Sequence, residues 1–243
     1  MHAFLVIFAL LVGTTSAQAG LTTENCLAKK RQAQGKLQQC RATEDAKALQ
    51  NKKFDLAKCG TKFQETIAAL TAKATKAGIG CRFRDNGDGT VSDYDTGLQW
   101  EQKNAAGGGS NLTNPHDVDN IYSWSGTGTA PDGSVFRSFL SRLNDCTAGA
   151  LLNFSGLAFH CDWRLPTLEE LQTILLAPPP CNGVTVCIDP IFGPTTPDSY
   201  WTSITHTDHP DSAFDLYFGP GSLGPGFGTK TNLVRARAVR GGL

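Results

Sequence analysis

Eight cysteines and one short histidine–aspartate run are the residues of this 243-residue chain whose types and spacing could do chemistry. His206 and His209 stand three apart in THTDHPD, beside Asp208 and Asp211, a mixture of imidazole and carboxylate able to hold a metal ion. An exposed polar loop carries the same composition, and that is the expectation. Asp85 to Thr90, DNGDGT, has a faint likeness to a calcium loop. Aligning Asp88-Gly89 with the acidic-Gly pair of an EF-hand, however, puts Arg84 at the first ligand position, where an oxygen is required. A tight turn between two strands is expected instead. His160-Cys161 precedes Cys181 and Cys187, but there is no C-x-x-C pair of the kind zinc sites use. G-x-S-x-G, H-E-x-x-H and P-loop patterns are also missing. The residues therefore point to no catalytic set, no metal site and no cofactor, and the expectation is a protein that is not an enzyme.

Disulfides are the better use of the cysteines, because an even number in an exported chain reads as a covalent framework. Export is expected from residues 1–19, where an apolar run from Ala3 to Val12, too short to span a bilayer, leads to Ala17-Gln18-Ala19, a small-residue cleavage site. The expected mature chain starts near Gly20, has no transmembrane segment, and resides in the periplasm, at the cell surface or outside the cell.

The elements that must hold these residues fall into two units of opposite charge. Residues 19–80 carry twelve Lys+Arg against five Asp+Glu, a net of +7, whereas residues 81–243 carry ten against seventeen, a net of −7. Residues 20–80 are expected to form a helical hairpin. Good helix formers dominate from Leu21 to Ala77 without a proline. Apolar residues at Leu56, Cys59, Phe63, Ile67, Leu70 and Ala74 draw one stripe, and Cys26, Ala33, Leu37 and Cys40 draw another. A turn near Gln50 to Lys53, with Asp55 starting the second helix, sets Cys40 opposite Cys59 and Cys26 near Cys81. Those two nested disulfides are predicted, and a crosslink closing a loop of the shorter length contributes about 3 kcal/mol in the chain-entropy model. Further on, Cys181 and Cys187 bracket a short loop, which leaves Cys146 for Cys161. The lysines are expected to solvate the outer faces of the helices, although clustered lysine also attracts polyanions. No aromatic set is interleaved with them for stacking bases, so nucleic acid is not an expected partner.

Residues 81–243 read as α+β. Short alternating runs around DNGDGT and at Leu98 to Glu101 predict a β-meander. Downstream, Trp163-Arg164-Leu165 reads as strand, Pro166 keeps the preceding residue extended, and Thr167 with Glu170 forms the T-x-x-E capping box of a helix whose stripe is Leu168, Leu171, Ile174 and Leu175. This motif is expected to be architectural. Trp100, Trp163 and Trp201 are expected in the core.

Three motifs in order, FRDNGDGTVSDYDTGLQW, DWRLPTLEELQTIL, and YWTSIT followed by AFDLYFGPG and VRARAVRGG, resemble the Lcl C-terminal domain, a bacterial domain of unknown function found at the C-terminus of the Legionella collagen-like adhesin. The resemblance spans Arg82 to Gly242 and implies an adhesion-type protein with sulfated glycosaminoglycans as natural ligands to test. Collagen-like repeats are missing from this sequence, so trimerisation is not implied. The RLPT element with its acidic helix also resembles the formylglycine-generating enzymes and fibrobacter surface proteins, which implies a C-type-lectin-like domain behind the disulfide-stapled hairpin. Such an enzyme would be a thiol oxidase and would need a reactive cysteine pair.

For binding, Tyr122, Trp124, Tyr200 and Trp201 could offer flat faces to sugar rings, and Arg235, Arg237 and Arg240 are expected along one face of the last strand. The loops Lys103 to Asp119 and Pro197 to Asp211 could present a site. The expected function is an exported, non-catalytic binding module that recognises a glycan, including anionic polysaccharide, or another envelope protein. The alternative is a structural component of the cell envelope.

Overall fold

The computed structural model describes residues 21–105, 108–146, 156–176, 186–220 and 224–242. The expected leader at residues 1–19 and residue 181 of the expected Cys181–Cys187 pair lie outside the described residues.

Helix α1 (Thr23–Leu49) and helix α2 (Leu56–Lys76) form the hairpin. The Thr22 hydroxyl accepts from the Asn25 amide (3.2 Å) and the Asp55 carboxylate from the Lys58 amide (3.0 Å), so each helix start has a side-chain cap. Between them the chain reverses through Asn51, at φ 54°, a conformation that asparagine tolerates. The seam is thin: Ala33 and Leu37 meet Cys59, Phe63 and Ile67. Covalent closure supplements it, with Cys40–Cys59 inside the hairpin and Cys26–Cys81 at its base, the pairs expected from the spacing. Buried Lys30 on α1 ties the base to the second unit. Its ammonium donates to the Thr71 hydroxyl (2.7 Å) and pairs with Asp95.

The second unit is a β-rich α+β body of three small antiparallel sheets. Strands β1 (Phe83–Asp85), β2 (Thr90–Asp93) and β3 (Leu98–Glu101) form the meander. Its first turn is DNGDGT, where Asp85 and Asp88 accept from the amides of Gly87 (2.8 Å) and Thr90 (3.1 Å). These carboxylates act as turn acceptors. A second sheet pairs β4 (Tyr122–Ser123) with β8 (Leu233–Val234), and a third has the order β5 (Ser199–Thr205), β6 (Ser212–Tyr217), β7 (Pro225–Thr229). The chain finishes in β9 (Val239–Gly241), which returns to pair with β3. A π-helical segment, Val135–Leu140, runs into α3 (Ser141–Leu143), and α4 (Leu168–Thr173) follows the RLPT element. Cys146–Cys161 joins the flanks between α3 and α4.

The RLPT element is architectural throughout. Arg164 forms a bridge with Val239, exchanging two backbone bonds of 2.9 Å, and its guanidinium grips Glu170 through two bonds of 2.6 and 2.7 Å. Thr167 accepts from the Glu170 amide and the Glu170 carboxylate accepts from the Thr167 amide, closing the capping box. Trp163 is clamped by Asn144, which accepts from its amide and donates to its carbonyl, both at 2.8 Å. All four tryptophans are buried.

A charged cluster sits where β3, the 103–119 loop, the 192–195 segment and the C-terminal strand converge. Glu101 is wholly buried. Lys103 Nζ lies 2.8 Å and His116 Nδ1 3.1 Å from its Oε1, while the Ala238 amide donates to Oε2 (3.1 Å). Arg237, equally buried, donates to the carbonyls of Glu101 and Phe192 (2.9 Å each) and to the Thr195 hydroxyl (3.0 Å). Burial pushes the Glu101 carboxyl up, but Lys103, His116 and Arg237 outweigh it and hold the group below its ordinary value; burial likewise pulls Lys103 down against Glu101. Gly193 lets the 192–195 segment approach, since a Cβ there would stand 2.0 Å from the Lys103 carbonyl oxygen.

Removing one partner of a buried pair leaves the other charge uncompensated. Glu101→Gln is therefore expected to cost about 3–5 kcal/mol in urea unfolding at neutral pH. The folded carboxyl lies below the ordinary 4.5, so its contribution is complete above that pH and is lost as pH falls through the folded value. Glu101→Gln should flatten the fall in stability measured below pH 4.5; an unchanged acid profile would contradict this assignment.

Candidate functional site

The residues expected to face a ligand are instead packed inside. Tyr122, Trp124, Tyr200, Trp201 and Arg237 are all buried. The physical reason is that each finds its partners within the body. Trp201 Nε1 donates to the Tyr122 carbonyl (2.8 Å), and Trp124 Nε1 to the Thr202 carbonyl (3.0 Å). Tyr122 stacks on Phe139 and Tyr200 lies tilted against Phe218, with centroids 5.1 and 4.5 Å apart. Burial, with the nearby Glu101 carboxylate, pushes the Tyr122 phenol well above its ordinary value.

Nor do the three arginines share a face. Arg237 points into the charged cluster. Arg235 bonds Asp198 (3.1 Å) and the Val118 carbonyl, and Arg240 bonds Asp162 through two nitrogens (2.6 and 3.2 Å). Irregular backbone separates β8 from β9, which breaks the alternation a single strand would have given. Elsewhere Arg82 pairs with Asp93, Arg137 with Asp132 and Arg164 with Glu170. Most of the basic groups in this acidic unit are committed internally.

The loop from Lys103 to Asp119, in its described residues, is tied down by its own amides. Asn120 donates to the carbonyls of Asn111 (3.0 Å) and Asn114 (2.8 Å), Asn114 donates to the Asn104 side chain (2.8 Å), and Lys103 Nζ reaches the Pro115 carbonyl (3.0 Å). It braces the charged cluster.

An open aromatic surface exists elsewhere, on the third sheet. Phe214 on β6 and Phe227 on the edge strand β7 are direct cross-strand partners. The β5–β6 turn lays two imidazoles over them. The His206 ring stacks on Phe214 (5.0 Å between centroids) and leans on Phe227 (4.4 Å). The His209 ring lies 4.9 Å from His206 and nearly parallel to Phe227 at 5.9 Å. Phe227 remains 53% exposed. Its neighbours on the strand are Gly226 and Gly228; a Cβ on Gly226 would come within 2.8 Å of the Asp215 carboxylate beneath, so glycine lets β7 sit close while Phe227 faces outward.

This turn is built rather than loose. The His206 amide donates to the Ser212 carbonyl (2.9 Å) and the Ser212 amide to the His209 carbonyl (2.8 Å). His206 Nδ1 accepts from the Asp208 amide (3.2 Å), which leaves the proton of the neutral ring on Nε2, free to donate. From below, buried Lys230 donates to the Pro210 and Thr129 carbonyls (2.8 and 2.9 Å) and lies over the Trp124 ring at 4.1 Å. Among the described residues no group of three or more His, Cys, Asp or Glu side chains is placed to hold a metal ion. The arrangement offers an exposed aromatic cluster of tilted rings edged by donors and acceptors, the chemistry of stacking and orientation.

The family model of the Lcl C-terminal domain matches residues 89–240, and the chain belongs to that family. No curated protein and no solved structure is significantly similar to the chain.

A surface ring and a core ring should respond differently to truncation. Phe227→Ala is expected to change unfolding stability by less than about 1 kcal/mol, whereas Trp201→Ala should cost about 3–5 kcal/mol. Parallel urea titrations check both, and a loss at Phe227 as large as that at Trp201 would contradict the surface assignment.

Proposed function

We propose that this chain is an exported, non-catalytic binding protein whose Lcl C-terminal domain stacks a glycan on the Phe227–His206–His209 surface. The observation that carries the reading is Phe227, held outward between two glycines and flanked by the His206 and His209 imidazoles. The apolar face of a sugar ring matches such a surface, and its hydroxyls would meet His206 Nε2 and the Asp208 carboxylate at the rim. A cluster of four rings is small beside the ~800 Å² that each partner contributes to a stable protein–protein interface, which favours a small repeating ligand.

Charge selects among glycans. The sulfated ligands implied by the resemblance need a free basic surface, and within residues 81–243 the internal pairing of Arg82, Arg164, Arg235 and Arg240 and the burial of Arg237 leave little of one. An uncharged glycan is the better match for a unit of net charge −7. The C-type-lectin-like frame enters as an analogy supported by the RLPT-capped helix, and it carries no activity by itself. Export is supported by three disulfides, which persist in oxidising compartments, and no helix among the described residues is long and apolar enough to cross a membrane. A thiol oxidase would require Cys146 and Cys161 as a reactive pair; they are joined to each other, as are the other described pairs.

Calorimetric titration with neutral oligosaccharides and with heparin tests the reading. A neutral glycan should bind saturably, and Phe227→Ala should weaken it about tenfold, the worth of one aromatic stack of about 1.4 kcal/mol. Binding confined to heparin, or unaffected by Phe227→Ala, would contradict it.

A further inference from the structure

The far end of the hairpin exposes large apolar side chains. Leu49, the last residue of α1, is 88% exposed, Phe54 in the turn 51%, and Leu56, the first residue of α2, 40%. Nothing in the hairpin's own core requires them, since its seam lies between Ala33–Leu37 and Cys59–Ile67. Four lysines, Lys47, Lys52, Lys53 and Lys58, stand against Asp55 alone between residues 47 and 58. The nearby acids are largely engaged: Asp55 caps α2, and Glu44 accepts from Lys47 Nζ (2.6 Å) and the Asp55 amide (2.9 Å), leaving Asp45 one turn back along α1. Lys52, Lys53 and Lys58 form no ion pair among the described residues.

Position adds to composition. The stretch of α1 from Cys26 to Leu49 spans about 35 Å, so the turn stands far from the base anchored by Cys26–Cys81 and Lys30–Asp95. Cys40–Cys59 staples the two helices below it. An apolar, cationic tip on a stapled arm is convex, and a protein partner would need a matching pocket. An anionic bilayer needs none: acyl chains accept Leu and Phe, and headgroup phosphates accept lysine. The net −7 of residues 81–243 is repelled by the same surface, which would turn the molecule tip-first.

We infer that the α1–α2 turn is a membrane-surface contact, in which Leu49, Phe54 and Leu56 enter the headgroup layer of an anionic bilayer and Lys52, Lys53 and Lys58 pair with its phosphates. The inference is independent of the glycan surface, which lies on the other unit.

The test is co-sedimentation of the full chain with phosphatidylglycerol–phosphatidylcholine vesicles and with phosphatidylcholine alone, beside the double variants Leu49→Glu/Phe54→Glu and Lys52→Glu/Lys53→Glu. Non-reducing peptide maps and circular dichroism confirm that the variants keep their fold. Phe54→Trp supplies a depth probe, because the four native tryptophans are buried in the second unit and remote from the tip. The expected results are binding to the anionic vesicles only, a loss of at least tenfold in each double variant, and quenching of the Phe54→Trp emission by brominated lipid. Absence of binding, equal binding by the double variants, or binding without quenching would overturn the inference.

Discussion

A carboxylate sealed from water organises the second unit. Glu101 ends β3 and is compensated from three directions, by Lys103 two residues on, by His116 from the following loop, and by the Ala238 amide from the returning C-terminus. Arg237 then ties the Glu101 carbonyl to Phe192 and Thr195. A buried charge is tolerable only when such partners are all in place, so this constraint fixes the path of four segments at once. Once Arg237 and Ala238 are seated, β9 is aligned on β3, Arg164 bridges Val239, and α4 is positioned by the bidentate Arg164–Glu170 pair.

That economy has a consequence for the surface. Basic groups spent on holding short strands together are not available to ligands, and aromatic rings that fill the spaces between three small sheets cannot stack on sugars. What remains outward is set by strand geometry: β7 is an edge, its glycines bring it down on Asp215, and Phe227 is left standing beside the imidazoles of the β5–β6 turn. The two units differ along the charge boundary seen in the sequence. The stapled basic arm reaches away, while the acidic body carries the aromatic surface.

Local features were legible before the structure. The caps at Asp55 and Thr167, the DNGDGT turn and the disulfides Cys26–Cys81 and Cys40–Cys59 follow from spacing within one or two elements, Cys146–Cys161 follows by elimination among the remaining cysteines, and the family motifs lie in contiguous runs. The site was not legible in the same way. Phe227 acquires meaning only from its cross-strand partner Phe214 and a turn twenty residues upstream, contacts that no periodicity encodes. Arg237 looked like a surface arginine because sequence cannot show that Glu101 needs it. The π-helical turns at Val135–Leu140 went unread in the sequence, although Val135 and Phe139 share one core cluster with Leu143.

Hydroxyl-radical footprinting of the folded chain, read by mass spectrometry, tests most directly where the accessible aromatic surface lies. Phe227 and His209 are expected to oxidise rapidly in the native state, with Tyr122, Trp124, Tyr200 and Trp201 protected until the protein is unfolded. Native-state oxidation of those four at rates matching Phe227 would contradict this expectation, and would return the binding surface to the residues that the structure places in the core.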